Sequence, residues 1–421
     1  MLQECDGGGF NLEELIELDM IRNAVIERIV IRKIMKETGW MREETVRRLG
    51  AAKKAGINPS LYYKLGYWFV PERKLEEYHS TRGRRKKIAQ RISEKRGKDP
   101  VDIEKQITEA KWTRRLRVGY FEKYEWDTLT EEQKDGMFLR PQSRSMSIKF
   151  RTKDADSRIF NNKIRFNNLF PEYIRRKWFM SEGMSYEQFS EHMKKFHPGF
   201  YILKPQVSSG GKGIEKLPVP TGDDEMRQAY DHVMEINETA EKNKGCIIEE
   251  CIRQHPEMNR LYGDSVNTVR VVTLLYHGDF KILYVACRMG VNGNITDNAS
   301  QGGISVGVDK ETGRFNTVAA SKKGEPLTHH PTTGTEIKGF QIPYWNEVVE
   351  MVEGIARKAF DVAGLGYAGW DVAITEDGPL IIEGNNWPSP SLLQLPVYVD
   401  HKEGVRYIVD PYLDDSFEGL R

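Results

Sequence analysis

The sequence predicts an α+β fold preceded by a mainly helical N-terminal region, on three observations. Residues 1 to about 130 carry apolar positions at helical spacing between caps and breakers. From Gly199 onward the pattern becomes short apolar runs separated by Gly, Asp and Asn. Those runs meet mainly as hairpins, without the string of long crossovers that a parallel sheet needs.

Asn11 can cap a first helix carrying Leu18, Ile21, Val25 and Ile29, and Gly39 can end it. Shorter helices follow, broken at Gly50, Gly56 and Asn58-Pro59, and the aromatic-rich stretch Leu61–Phe69 suits packing on a neighbour. The run TRGRRKKIAQRISEKRGK from Thr81 has two readings: a contact for an anionic partner, or the solvated face of a helix whose buried side is Ile88 and Ile92. The second is favoured, because acids elsewhere offset the basic run. Residues 131–195 mix loops and helices, and Ser185-Tyr186-Glu187-Gln188 reads as a capping box opening a helix to Lys195. Phe200–Leu203 is a strand running into Lys204, and Gly213–Leu217 is a second. Asp223 or Asp224 starts a helix to about Glu241, and Cys246–Ile252 is a strand. Asn267–Tyr276 and Phe280–Met289 form a hairpin around His277-Gly278-Asp279, followed by a strand at Ile304–Val308. A helix from about Pro343 to Val362 places Val348, Met351, Ile355 and Ala359 on one face.

Four hundred and twenty-one residues suffice for two or three domains. With 39% hydrophobic and 30% charged residues, the chain has room for a sizeable core. A formal net charge of +1 argues against a general nucleic-acid-binding profile. Cys5, Cys246, Cys251 and Cys287 lack zinc spacing and read as free thiols. The N-terminus does not resemble a signal sequence and no apolar run reaches bilayer length, so a reduced, cytoplasmic protein is expected.

The most informative stretch is Gly366 to Pro390, where the apolar runs Trp370–Thr375 and Pro379–Glu383 flank Glu376-Asp377-Gly378. A three-residue hairpin loop would pair Thr375 with Pro379, Ala373 with Ile381 and Asp371 with Glu383. Opposed residues have Cβ atoms roughly 4.5–5.5 Å apart, so two bare carboxylates there repel unless a divalent cation lies between them. Asn385 falls on the same face as Glu383 if the strand continues. Asp, Glu and Asn facing one point suit a Mg²⁺ site shared with a nucleotide. The competing reading is a solvated hairpin whose acids flank a turn, with a two-residue turn slipping the register and separating them.

A Gly/Ser-rich loop joins two strands over residues 201–213, and its N–H groups can form an anion-binding concavity. Lys204 ends the first strand and Lys212 sits between glycines. The loop is not a Walker A motif, because Gln206 stands where that motif needs Gly and Gly213 follows Lys212. A flexible hairpin with solubilising lysines is the plain alternative.

The strand-Lys-Pro, the Gly/Ser loop, a Glu-Glu hinge and the late Asp…Glu-x-Asn hairpin together resemble the ATP-grasp superfamily over roughly residues 150–400. QHPEMNRL, SVNTVRVVTL, DNASQGG, and GWDVAI with IIEGNN resemble its sugar-transfer-associated branch. The resemblance implies an ATP-grasp fold, with ATP enclosed by two antiparallel α+β lobes. It implies Lys204 on the α- and β-phosphates, Lys163 as an earlier nucleotide lysine, and Ser208, Ser209, Gly210, Gly211, Lys212 and Gly213 as a mobile loop over the phosphates. It further implies Glu249, Glu250, Cys251 and Ile252 as a hinge whose backbone meets adenine, Glu257 on the ribose, and Asp371, Glu383 and Asn385 on Mg²⁺. Glu250 and Glu257 read equally as surface acids at strand ends. The expected parts are a helical region over 1–130 with a partner or acceptor role, the two ATP-grasp parts over 131–255 and 256–400, and a tail over 401–421.

Arg270 stands in a run of β-branched residues, where an arginine must be paired. It reads either as a salt bridge to an acid such as Glu257 or as a guanidinium over a transferring phosphoryl group. Arg288 can reach the same region, and the resemblance favours the phosphoryl role for both. Asp297, Asn298, Ser300, Gln301 and Gly302 read as an acceptor-binding loop, while His329 and His330 suggest no chemistry. The expected activity is an ATP-dependent ligase joining a carboxylate to an amine through an acyl phosphate. By resemblance the carboxylate is a sugar acid or glycan precursor and the amine an amino acid or simple amine. The alternatives are a phosphotransferase on a hydroxyl and a silent nucleotide-binding scaffold.

Overall fold

The computed structural model describes residues 31–32, 35, 49, 72–206, 213–239, 245–298, 302–321, 324–390, 393–395, 398 and 404–413. The expectations for Asn11, Gly39, Gly50 to Pro59 and Leu61–Phe69 lie outside those residues. The chain divides into two units, Met1–Ile107 and Thr108–Arg421. In the first, the basic run lies in the helix Glu72–Arg96, with Arg84, Lys86 and Lys87 exposed and Ile88 and Ile92 buried. That distribution is the solvated-face arrangement. No described helix is long and apolar enough to cross a membrane.

The second unit holds two antiparallel sheets. The smaller contains β1 (Trp178–Met180), β2 (Phe200–Pro205), β3 (Glu215–Pro218) and β4 (Cys246–Glu250), in the order β1-β4-β2-β3. Phe179, Tyr201, Leu203 and Ile248 from its strands form a core with Phe189 and Met193 of the helix Tyr186–Met193 and Val233 of the helix Asp223–Thr239. The first of these helices begins with the expected capping box: Ser185 accepts from the Gln188 N–H, and the Gln188 side chain accepts from the Ser185 N–H.

The larger sheet contains β5 (Thr268–Tyr276), β6 (Asp279–Met289), β7 (Ile304–Val308), β8 (Ala319–Ala320), β9 (Pro326–Leu327), β10 (Tyr367–Thr375) and β11 (Gly378–Asn385). Their order is β11-β10-β5-β6-β7-β8-β9. Both faces are covered. Val269, Val271, Val285, Val372 and Ile381 pack with Val348, Val352, Ile355 and Ala359 of the helix Trp345–Ala363. Val272, Leu274, Tyr284 and Tyr367 face Phe138, Met146, Phe150, Val405 and Val409. Strands buried on both sides read as continuous apolar runs, which explains why these segments show little alternation. Among the described cysteines, Cys246 and Cys287 are buried free thiols and Cys251 is half-buried.

The β10–β11 hairpin corrects the expected register. Thr375 pairs with Gly378, so the loop is two residues, Glu376 and Asp377, and Gly378 has φ +98. Ile374 then pairs with Pro379, Ala373 with Leu380 and Val372 with Ile381, in place of Thr375 with Pro379 and Ala373 with Ile381. Such a turn would leave Asp371 opposite Ile382. A β-bulge between Asp371 and Val372 inserts one residue and restores Asp371 opposite Glu383.

Gly384, between Glu383 and Asn385, lies against two aromatic rings. A Cβ there would sit 2.6 Å from Phe160 Cε1 and 2.9 Å from Phe166 Cε2. Gly384→Ala is expected to destabilise by about 1–3 kcal/mol through overpacking. Gly222→Ala, with no atom within 4 Å of the added carbon, serves as the control. Equal urea midpoints for the two variants would remove the packing argument.

Candidate functional site

Asp371 on β10 is 2% exposed and lies between two register partners, Arg270 on β5 and Glu383 on β11. Arg270 Nη2 donates to Asp371 Oδ2 at 2.9 Å, and its Nε donates to Oδ1. Arg288, one strand further on β6, donates from Nη2 to Asp371 Oδ2 at 3.0 Å. Burial opposes ionisation of Asp371, but Arg270 and Arg288 outweigh it and hold the carboxyl at about 2. Glu383 goes the other way: burial and the neighbouring Asp371 charge push it up, with Arg270, Lys204 and Lys163 offsetting part of the effect. The buried Asn385 Nδ2 has no hydrogen-bond partner among the described residues.

Lys204, buried at the end of β2, donates from Nζ to Glu249 Oε2 at 2.7 Å. Arg176 donates from Nε to Oε2 at 3.1 Å and from Nη2 to Oε1 at 3.2 Å of the same carboxylate. Asn167 Nδ2 donates to Oε1 at 3.2 Å. Arg176 also spans to the other sheet, donating to the carbonyls of Ile381 at 2.9 Å and Ile382 at 3.3 Å. Sequence reasoning missed Arg176, because nothing in Arg175-Arg176-Lys177 distinguishes the middle residue from its neighbours. Lys163 opens the helix Lys163–Leu169. Burial and then the Lys204 charge depress its pKa, while Glu383 and Glu249 act in the opposite direction. Lys163 and Lys204 are thus within electrostatic reach of each other and of both acids.

The other expected residues are distributed as follows. The Glu250 carboxylate accepts from the N–H groups of Lys177 at 3.1 Å and His197 at 3.0 Å. The Cys251 N–H donates to Phe200 O at 3.2 Å, whereas the Ile252 N–H makes no hydrogen bond among the described residues. Glu257 pairs with Arg260 at 2.6 Å on the helix Pro256–Leu261. It does not pair with Arg270, which corrects the salt-bridge alternative: the partner of Arg270 is Asp371. Asp297 Oδ2 lies 3.2 Å from Arg288 Nε, an ion pair in which neither atom completes a hydrogen bond. The Asn298 carbonyl accepts from the Gly303 N–H at 3.1 Å, and Gly302 has φ +101. Gly213 leads into β3 with its φ at +70. Ser208, Ser209, Gly210, Gly211, Lys212, Ser300 and Gln301 lie outside the described residues.

The donor set fits a hard divalent cation. Among the described residues no three His, Cys, Asp or Glu side chains cluster as a metal cage. Mg²⁺ does not need one, since it takes one or two carboxylates and fills its octahedron with water and phosphate oxygens. Asp371 and Glu383, opposite each other in the ladder, would supply the carboxylates. The unpartnered Asn385 amide, two residues beyond Glu383, can turn its oxygen toward the same point.

The Glu249 cluster yields a stability prediction. Burial opposes its charge, but Arg176 and Lys204 hold the carboxyl well below its ordinary value of 4.5. Glu249→Gln leaves two buried cations without an anion and is expected to cost about 3–5 kcal/mol at neutral pH. Because the folded-state pKa is depressed, this stabilisation is complete above about pH 4.5 and is lost as pH falls below that value. The difference in urea midpoint between wild type and variant should therefore narrow in acid; a pH-independent difference would count against an ionised Glu249.

Residues 151–401 match the sugar-transfer-associated ATP-grasp family. Similar solved structures include phosphoribosylamine–glycine ligase from Thermotoga maritima, at 17% identity and TM-score 0.35, over 57% of this chain and 51% of that one. D-alanyl-alanine synthetase A from Vibrio cholerae is 12% identical at TM-score 0.35, over 62% of this chain and 67% of that one. N5-carboxyaminoimidazole synthetase from Staphylococcus aureus, solved with ADP, is 9% identical at TM-score 0.34, over 55% of this chain and 46% of that one. This chain thus spans about half the length of the first and third of these proteins. None of the curated proteins compared matches it. The family match covers more than half of the chain, including both antiparallel sheets and the helices Tyr186–Met193, Asp223–Thr239 and Trp345–Ala363, so the fold is the ATP-grasp α+β fold and this chain belongs to the sugar-transfer-associated ATP-grasp family.

Proposed function

We propose that the chain is an ATP-dependent carboxylate–amine ligase working through an acyl phosphate. The observation that carries the reading is the set Asp371, Glu383 and Asn385 at the end of one hairpin, with Lys163, Lys204 and Arg270 acting on Glu383 and with Arg270 and Arg288 paired to Asp371. In this reading Lys163 and Lys204 hold ATP phosphates, and the free N–H of Ile252 is offered to the adenine edge. Mg²⁺, held by Asp371, Glu383 and Asn385, would offset charge on the β- and γ-phosphates. Arg270 and Arg288 face the transferring phosphoryl group and stabilise its developing charge.

The acceptor carboxylate attacks the γ-phosphorus, and ADP leaves with the broken bond's electrons. The amine then attacks the acyl carbon, inorganic phosphate departs, and the nitrogen loses a proton as the amide forms. A carboxylate is already anionic near neutral pH and needs no base. In this reading the acids around the site are committed: Asp371 is paired with two arginines, Asp297 with Arg288, and Glu249 with Arg176 and Lys204, while Glu383 is taken up by the metal. That commitment favours a carboxylate acceptor over the hydroxyl acceptor of a phosphotransferase. In this reading the carboxylate is a sugar acid or glycan precursor, in keeping with the family's sugar-transfer association, its partner is an amino acid or amine, and the protein works in the cytoplasm.

Two outcomes follow. Glu383→Gln should lower Mg·ATP affinity in calorimetry at least about tenfold, the loss typical of removing even a supporting metal partner; unchanged affinity and turnover would remove the metal assignment. With an ¹⁸O-labelled carboxylate acceptor, labelled oxygen should appear in released phosphate together with ADP, and hydroxylamine should trap a hydroxamate. AMP with pyrophosphate would indicate adenylation, and a stable phosphate ester would indicate a kinase.

A further inference from the structure

A second concentration of cations lies outside the site described above. Arg115, Arg117, Arg140 and Arg144 line a cavity of about 120 Å³, together with Trp387 and the Tyr120 ring. Among the described residues no Asp or Glu lines it. Among the described residues none of the four arginines forms an ion pair, although Arg114, next in sequence, pairs with both Glu131 and Asp135. Among the described residues these four guanidinium groups, all on exposed residues, thus stand together without an acid.

Local structure sharpens the imbalance. Arg140 is the first residue of the helix Arg140–Lys149, whose first turn carries no acid, so a cation sits at the positive end of the helix dipole. Arg144 is four residues on, on the same helix face, where like charges repel. The Arg140 pKa is lowered, by burial first and then by Arg117 and Arg144. The repulsion among these cations and the helix dipole would be relieved by an anion. Arginine forks suit phosphoryl oxygens, which they bind in bidentate fashion.

The cavity is also tied to the metal hairpin. Trp387, 47% exposed, lies two residues past Asn385, with Arg144 Cζ 5.7 Å from its ring centroid. From the same arginine-bearing helix, Ser143 Oγ donates to Pro388 O at 2.9 Å and Ser147 Oγ to Asn386 O at 3.1 Å. The helix that carries Arg140 and Arg144 thus fixes the chain leaving the metal ligands. The volume is below the roughly 300 Å³ of a typical whole-ligand pocket but adequate for a phosphoryl group.

We propose that this cavity is a second anion site, distinct from Lys163 and Lys204, which takes the phosphoryl group of a phosphorylated small molecule while Trp387 stacks on the attached ring. It anchors the acceptor beside the metal hairpin. That acceptor role rests on the ligase reading, whereas the binding itself does not.

The test is calorimetry on the full chain without nucleotide or metal, with inorganic phosphate, glucose 1-phosphate and uridine 5′-phosphate as probes. At least one organic phosphate should bind more tightly than inorganic phosphate, and which one does identifies a sugar or a nucleoside as the attached ring. Arg140→Gln with Arg144→Gln should weaken binding about tenfold or more, the loss of charge-assisted hydrogen bonds. Trp387→Ala should weaken the organic phosphate and leave inorganic phosphate unchanged. Heat denaturation checks folding, and the pair Arg115→Gln with Arg117→Gln replaces the first if that one unfolds. No binding by any probe at millimolar concentration, or equal binding by wild type and the arginine variants, overturns the site. Binding of inorganic phosphate with no gain from either ring overturns the stacking half. Intact organic-phosphate binding in a protein that neither binds Mg·ATP nor makes ADP would sink the ligase reading and leave this site standing.

Discussion

A carboxylate as deeply buried as Asp371 is stable only if its charge is answered locally, and that demand shapes three adjacent strands. Arg270 answers from the register position beside it on β5, and Arg288 from the next strand, β6. In a poorly solvated interior an unpaired ion would neutralise or unfold the site. Because the partners stand on a continuous antiparallel ladder, backbone pairing sets their positions. Glu383 then arrives on the opposite side of Asp371, where its own charge is resisted. The result is a site with two fixed guanidinium groups, one ionised acid and one acid whose ionisation is resisted.

A second buried carboxylate performs the corresponding task in the smaller sheet. Glu249 holds Lys204 in place and is itself held by Arg176 and Asn167. Arg176 then joins the two sheets through the carbonyls of Ile381 and Ile382. Ile382 is the inserted residue of the bulge, whose ladder pairing is disrupted. The arginine therefore satisfies the backbone group that the bulge leaves exposed, in the segment that returns Glu383 to register.

The distribution of ion pairs separates the arginines into two kinds. Arg270, Arg288 and Arg176 are answered by buried acids and hold fixed positions. Arg115, Arg117, Arg140 and Arg144 line a cavity that holds no acid among the described residues. Fixed, compensated cations stabilise charge that develops where they already point. Clustered, uncompensated cations favour an anion brought from solution. A net charge near zero conceals this division.

The sequence alone determined the α+β class, the hairpins, the capping box at Ser185 and the family strings around Asp371 and Glu383. These signals are local: short apolar runs, turn residues and helix caps are written within a few residues of where they act. It also located the pairing of Asp371 with Glu383, though through the wrong turn. Only the tertiary structure decided the two-residue loop and its compensating bulge, since one register error can cancel another without changing the apolar pattern. It decided as well that Asp371, not Glu257, answers Arg270, that Arg176 joins the sheets, and that four arginines from two segments meet Trp387. The reason is physical. A buried charge must find its counter-charge wherever the fold brings one, and that partner lies 101 residues away for Arg270 and 73 for Arg176, beyond the reach of any local pattern.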